Sequence, residues 1–226
     1  MSAFAAAVAI GYRYVETDVH ATADGVLVAF HDPTLDRIAG RDETIEKMTW
    51  RQLQRVVLGV DEHVPRLEDL LGTWPHLRVN IDVKSWSAVR PLIDVLCRTN
   101  AVDRVCVGSF SDLRTAKVRG ALGDRLCTSL GTRGVVRLMA GSYLPRLGDR
   151  LPAVPCAQVP QRYGAIPVAQ PRLIDRAHLC GMQVHVWTVD TPSDMNRLLD
   201  LGVDGMMSDS IRTLRDVLVR RGEWAG

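Results

Sequence analysis

Between Val15 and Asp32 the chain reads VETDVHATADGVLVAFHD, an order of two carboxylates and an imidazole that chemistry can use. Alternate residues of a strand share a face, so Glu16 and Asp18 point to the same side and can share one ion. Oxygen ligands of this kind suit a hard divalent cation, Mg²⁺ or Ca²⁺. Thr22-Ala23-Asp24-Gly25 carries the Asp-Gly pair of a tight turn, and Val26, Val28 and Phe30 lead a second run back to His31. The hairpin returns His31 toward the carboxylates, and an imidazole titrates close enough to neutral pH to move a proton there. His20 is expected to face away from the carboxylates, at the surface or behind the site. His185 is expected to pack, and His63, His76 and His178 to be structural.

The elements that must hold these residues follow a repeated order of helix, glycine, strand and acid, at Ala5 to Asp18, Arg176 to Asp190 and Leu198 to Asp209. Gly11, Gly181 and Gly202 fit the position just past a helix, where a left-handed conformation is cheap for glycine. Apolar and β-branched runs place strands near Tyr12–Val19, Arg78–Val83, Arg104–Gly108, Arg125–Ser129, Cys156–Val159, Gln183–Val189 and Gly205–Ser208. Trp86, Val89, Leu92, Ile93 and Leu96 share one helical face, and Ile211, Leu214, Val217 and Leu218 another. Thr191-Pro192 opens a further helix with a cap residue and a first-turn proline. Repeated βα units predict a parallel sheet covered by helices, a TIM-like barrel or a doubly wound sheet. A closed (β/α)₈ barrel needs eight strands and typically about 250 residues. Seven are read here and the chain opens on a helix, so the first strand is expected to be the missing one. Two stretches fit the alternation poorly. Asp36 to Gly72 is expected to hold short helices near Thr49–Leu58 and Arg66–Leu71, and Pro145 to Pro171 a long loop around a strand. Both are expected to border the mouth of the site.

At 226 residues, 46% hydrophobic and 24% charged, the chain can bury one sizeable core and is expected to form one domain, 1–226. A net charge of +2, with no Lys/Arg cluster interleaved with aromatics, argues against nucleic acid as a partner. Cys97, Cys106, Cys127, Cys156 and Cys180 are odd in number and lack a CxxC pair. That argues against a disulfide framework or a zinc site and predicts reduced, buried thiols in a cytoplasmic protein. The longest apolar run, Ala3 to Ile10, is far short of the roughly 18 residues a membrane span needs, so no integral membrane segment is expected.

Glu16-Thr17-Asp18-Val19, Thr22-Ala23-Asp24-Gly25 and Val28-Ala29-Phe30-His31-Asp32 together resemble the signature of the glycerophosphodiester phosphodiesterases. Asn80-Ile81-Asp82-Val83-Lys84, Val107-Gly108-Ser109-Phe110 and Val186-Trp187-Thr188-Val189-Asp190 match in the same order, so the resemblance runs from about Met1 to about Val219. It implies a TIM (β/α)₈-type barrel, here without its first strand, and metal-dependent hydrolysis of a small-molecule glycerophosphodiester to glycerol 3-phosphate and an alcohol. By position, Glu16 and Asp18 would be metal ligands, with Asp82 where the family commonly has a third, glutamate ligand. His31 would be one of two catalytic histidines. Lys84, on the strand face of Asp82, would offset phosphate charge, although the two could equally form a structural ion pair. Trp187 would wall the pocket. Apart from the resemblance, Gln158 and Arg162 bracket Pro160 and are expected to reach the mouth of the barrel, with Arg162 a candidate phosphate contact. The His-Arg-Gly and Glu-Asn-Thr segments of the family's first strand are not in this chain. The expectation is therefore a start upstream of Met1, and impaired activity for the chain as it stands. Two other readings stay open: a non-catalytic barrel fragment that binds metal or phosphodiester, and a related phospholipase acting on a lipid. The latter wants an exposed apolar or basic rim that the sequence does not locate.

Overall fold

Parallel strands alternate with amphipathic helices through most of the chain. The computed structural model describes residues 1–144 and 151–225. These group into two compact units, Met1–Cys127 and Thr128–Gly226.

The first unit opens with α1 (Ser2–Ala9), which ends at a glycine of φ 101°, Gly11. Gly181 and Gly202 also take positive φ, as their places past helices require. β1 (Tyr14–Ala21) runs two residues beyond the expected end because the hairpin holds it: Val19, His20 and Ala21 pair antiparallel with Ala29, Val28 and Leu27 of β2 (Leu27–Ala29). The excursion that follows holds α2 (Asp36–Ala39), α3 (Trp50–Leu53) and α4 (Leu67–Thr73). It is ordered by a small core of its own, where Leu35, Ile45, Leu53, Val56 and Val64 pack with Val28. Each such side chain taken from water contributes roughly 1.5–3 kcal/mol.

β3 (Arg78–Val83), α5 (Val89–Arg98), β4 (Val105–Gly108), α6 (Asp112–Leu122) and β5 (Cys127–Thr128) complete the sheet, in the order β2-β1-β3-β4-β5. The parallel register sets Glu16 beside Asn80, Asp18 beside Asp82 and Asp82 beside Gly108. Beneath the sheet, Val79, Ile81, Val83 and Val107 bury against Leu67, Leu70, Leu92 and Leu96. Trp86 was expected on the face of α5. It lies instead in the turn before that helix, 57% exposed.

The second unit holds α7 (Thr132–Tyr143), β6 (Cys156–Pro160), β7 (Arg162–Tyr163), β8 (Ile166–Pro167), α8 (Pro171–Leu179), β9 (Gln183–Trp187), α9 (Pro192–Asp200), β10 (Gly205–Met206) and α10 (Ile211–Arg221). β10, β9 and β6 form a parallel sheet in that order, and β7 and β8 a small antiparallel hairpin. The expected long loop thus carries β6 and this hairpin, with residues 145–150 outside those described. Thr191 caps α9 as its sequence predicts, its hydroxyl accepting from the Asp194 N–H at 3.2 Å. Asp204 ties the start of β9 by accepting from the Val184 N–H at 2.7 Å and from His178 Nε2 at 2.8 Å, a structural role for that histidine.

The five cysteines are free, but the expectation that they are buried holds only for Cys156: Cys106 and Cys127 are half-buried, and Cys97 and Cys180 are exposed in the last turn of α5 and at the end of α8. Among the described residues no helix is long and apolar enough to cross a membrane.

Candidate active site

The register of β1 against β3 does the first work of assembly. Asp18 and Asp82 are directly paired neighbours on adjacent strands, and Lys84 lies two residues past Asp82 on the same face. The Lys84 ammonium sits 2.7 Å from Asp18 Oδ1 and 2.7 Å from Asp82 Oδ2, so one cation bridges both carboxylates. The ion pair left open from the sequence is therefore present, with a second carboxylate in it. Burial pushes the Asp18 carboxyl up, and Lys84 only partly offsets this. Burial works against the Lys84 ammonium too, but hydrogen bonds to Asp18 and Asp82 outweigh it and hold its pKa above the ordinary lysine value.

Asp82 Oδ1 is buried and has no hydrogen-bond partner. An unpartnered carboxylate oxygen away from water costs free energy, and such a group is relieved by a cation or a donor. Glu16 stands exposed one strand repeat before Asp18, beside Asn80. The oxygens of Glu16, Asp18 and Asp82 do not all lie within 4.8 Å of one another, and Lys84 bridges Asp18 and Asp82. The donor set is nevertheless all oxygen and mostly carboxylate, which fits a hard divalent cation.

The hairpin returns His31 as expected. The Phe30 N–H donates to the Asp18 carbonyl at 2.9 Å, so the segment entering His31 is stitched to the strand that carries Asp18. His31 Nδ1 meets Asp32 Oδ1 at 2.6 Å, and Arg37 Nε donates to Asp32 Oδ2 at 2.7 Å. His20 is misplaced by the expectation of an opposite face. Two residues from Asp18, it shares that residue's face of β1 and is buried, with Nε2 3.3 Å from the His31 carbonyl. Burial pushes its imidazole down, so at neutral pH it is uncharged; Nε2 carries the proton to the carbonyl and Nδ1 is bare and unpartnered.

Beyond Asp82 and Gly108 the β3 and β4 loops build the surroundings of Lys84. Arg114 of α6 donates to the Lys84 carbonyl and, at 3.0 Å, to Ser109 Oγ, while Ser109 Oγ donates to the Val83 carbonyl at 2.8 Å. Glu46, from the excursion, accepts from Ser87 and Ser85 and is held low by those bonds. The Lys84 ammonium lies 5.7 Å from the Phe110 ring centroid, a cation–π contact. Phe110 is 58% exposed on the loop after β4, Leu113 in the first turn of α6 is 66% exposed, and Trp86 on the loop after β3 is exposed as well. Turns and a helix start break the alternation by which such exposed apolar residues are found from sequence.

In the second unit, Trp187 closes β9 half-buried, paired in register with Pro160. Gln161 holds that end, its amide donating to the Thr188 carbonyl at 3.2 Å while it accepts from Arg197 at 2.9 Å. Arg162 is exposed on the β7–β8 hairpin and donates to the Ala165 carbonyl. Gln158 is half-buried beside His185 on β9. His185 packs as expected, its ring filling the space that the missing side chain of Gly205 leaves on β10.

The residues missed from the sequence are Asp32, Arg37, Phe110, Trp86 and Leu113. Adjacency to His31 could have marked Asp32, whereas the exposed apolar residues had no periodic signal.

Residues 1–213 match the model of the glycerophosphoryl diester phosphodiesterase family. The chain is 43% identical over 232 residues to a probable glycerophosphodiester phosphodiesterase of Mycobacterium tuberculosis, covering 100% of this chain and 87% of that one. It is 26% identical to a human lysophospholipase D, over 96% of this chain and 81% of that protein. A solved structure of an Oleispira antarctica phosphodiesterase in complex with the product sn-glycerol-3-phosphate superposes with a TM-score of 0.78 at 19% identity, covering 96% of this chain and 89% of that one. That likeness speaks for the fold, and it bears out the TIM-type α/β barrel expected from the sequence.

Proposed function

The chain belongs to the glycerophosphoryl diester phosphodiesterase family, and from that premise we propose that it hydrolyses glycerophosphodiesters to glycerol 3-phosphate and an alcohol with the help of a divalent cation held by Glu16, Asp18 and Asp82. The observation that carries the reading is the carboxylate pair at Lys84, with a buried Asp82 oxygen left without a partner. When bound, Mg²⁺ or Ca²⁺ would withdraw charge from the phosphodiester oxygens. Lys84 adds a second positive charge beside the phosphate, held by Arg114 through the lysine carbonyl. His31 donates a proton to the departing alkoxide. In the second unit, Trp187 and Arg162 are the residues proposed for substrate binding. The protein acts in the cytoplasm.

A second reading concerns the glycerol side of the substrate. Trp86, Phe110 and Leu113 are large, exposed and apolar, on the loops and helix start that follow β3 and β4. Apolar side chains there favour a substrate whose glycerol carries an acyl chain, a lysophospholipid as in the name of the human relative, with the headgroup alcohol still the leaving group.

Phosphorus NMR of glycerophosphocholine incubated with the protein and Mg²⁺ tests the reaction. Glycerol 3-phosphate with free choline is expected. Phosphocholine with glycerol would put cleavage at the wrong bond, and cation binding without turnover would decide for the non-catalytic barrel.

A further inference from the structure

We propose that Asp32 and Arg37 are positioning residues that fix the tautomer and direction of the His31 ring, an inference that rests on His31 as the proton donor. His31 is the most exposed member of the site, its side chain 67% accessible, and an untethered ring there would sample several rotamers. Asp32 is 17% accessible and bonds to it at 2.6 Å, while Arg37 occupies the other carboxylate oxygen at 2.7 Å. The Arg37 bond first, then the His31 bond, hold the Asp32 carboxyl below the usual carboxylate range, so it is ionised and can only accept. The His31 nitrogen facing it therefore carries a proton. Nε2, which has no hydrogen bond to any described residue, is left for the substrate.

The local fold makes this geometry stiff. The His20 imidazole on the His31 carbonyl and the Phe30 N–H on Asp18 hold the backbone before the ring. After it, Leu35 is fully buried, Thr34 bridges to Thr44 and the Ile45 N–H donates to the Pro33 carbonyl at 3.0 Å. That anchored turn starts α2 and brings Arg37 back over Asp32.

In the reaction, an oxygen of water bonds to phosphorus and the bond from phosphorus to the alcohol oxygen breaks. The proton on His31 Nε2 goes to the leaving oxygen, and the neutral ring keeps its Nδ1 proton on Asp32. One water proton stays on the new phosphate monoester and the other restores the imidazolium.

Asp32→Asn gives a sharp test, because Arg37 offers only donors and takes the amide oxygen. The amide NH₂ then faces His31 and demands a bare Nδ1, so the ring can no longer rest as the Nδ1–H tautomer once Nε2 has given up its proton. Nitrogen NMR of the His31 ring, recorded at a pH where the ring is neutral, should show the proton on Nδ1 in the native protein and on Nε2 in Asp32→Asn. Turnover of glycerophosphocholine should fall about 10²-fold in the variant, within the range that general acid catalysis supplies. With a 4-nitrophenyl ester of glycerol phosphate, whose leaving group needs no proton, the loss should shrink below about threefold. His31→Ala should show the same dependence on leaving group. If it does but Asp32→Asn leaves tautomer and turnover unchanged, the proposal is overturned while His31 remains the acid. If His31→Ala loses equally with both substrates, the reading beneath it fails as well. Should Asp32→Asn not fold, Arg37→Gln carries the test: loss of the Nδ1 preference is expected, and an unchanged ring overturns the proposal.

Discussion

Replacing Lys84 with methionine keeps the apolar stem and removes the one cation between Asp18 and Asp82. Each 2.7 Å contact has a raw attraction of about 6 kcal/mol at an effective dielectric of 20. Desolvation of the ammonium cancels much of this, and removing one partner from such a buried set costs about 3–5 kcal/mol. All three side chains keep some access to water, so the lower figure applies, about 3 kcal/mol in cation-free buffer. For a chain of this size that is a fall in Tm of roughly 6–12 °C. Urea unfolding in EDTA reads it directly. Divalent cation should then repair the variant more than it stabilises the native protein, because the ammonium no longer competes for the carboxylates; at 100 times Kd the gain is about 2.7 kcal/mol. A variant within about 0.5 kcal/mol of the native protein in EDTA, or one with no larger response to cation, would refute the reasoning.

Trp86→Ala combined with Phe110→Ala should raise KM for a lysophosphatidylcholine roughly tenfold, by loss of about 1.5 kcal/mol of apolar contact, and leave KM for glycerophosphocholine within twofold; steady-state kinetics on both substrates checks it. The raised Lys84 pKa makes its contribution to stability complete below the ordinary lysine value of about 10.4 and lost as pH rises through the higher folded value. Cation-free stability should therefore fall above about pH 10.4 for the native protein and be flatter there for Lys84→Met. The lowered Asp32 pKa works the other way: its contribution is present above about 3.9 and lost as pH falls through the folded value, so Asp32→Asn should flatten the acid limb of the same curve. Gly205→Ala would set a Cβ 2.9 Å from His185 Cδ2, costing about 1–3 kcal/mol by thermal melting, with recovery in the double variant His185→Ala.

Legibility in the sequence followed periodicity. Glu16, Asp18, Asp82 and Lys84 were found because a strand repeats every two residues, and the parallel register of β1 and β3 then brought Asp18 beside Asp82. The hairpin was readable from its Asp-Gly turn, and its pairing lengthened β1 by a stretch that apolar pattern alone does not mark. Trp86 fooled the helical pattern, since its spacing from Val89 and Ile93 is that of a shared face while the chain has not yet entered α5. His20 was assigned the wrong side although the two-residue repeat places it with Asp18. The Asp32–Arg37 pair depends on a turn held by Leu35 and Ile45 in a separate small core, a tertiary fact that no local spacing encodes.

The central claim is cation-assisted release of glycerol 3-phosphate by the Asp18–Asp82 site, and the direct measurement is that release from glycerophosphocholine before and after EDTA, with the native protein and Asp82→Asn side by side. The native rate should drop to background in EDTA and return with Mg²⁺ or Ca²⁺, while Asp82→Asn should need at least about tenfold more cation for half its rate, a difference of about 1.4 kcal/mol in binding. Undiminished release in EDTA, or identical cation dependence in the two proteins, would contradict the account.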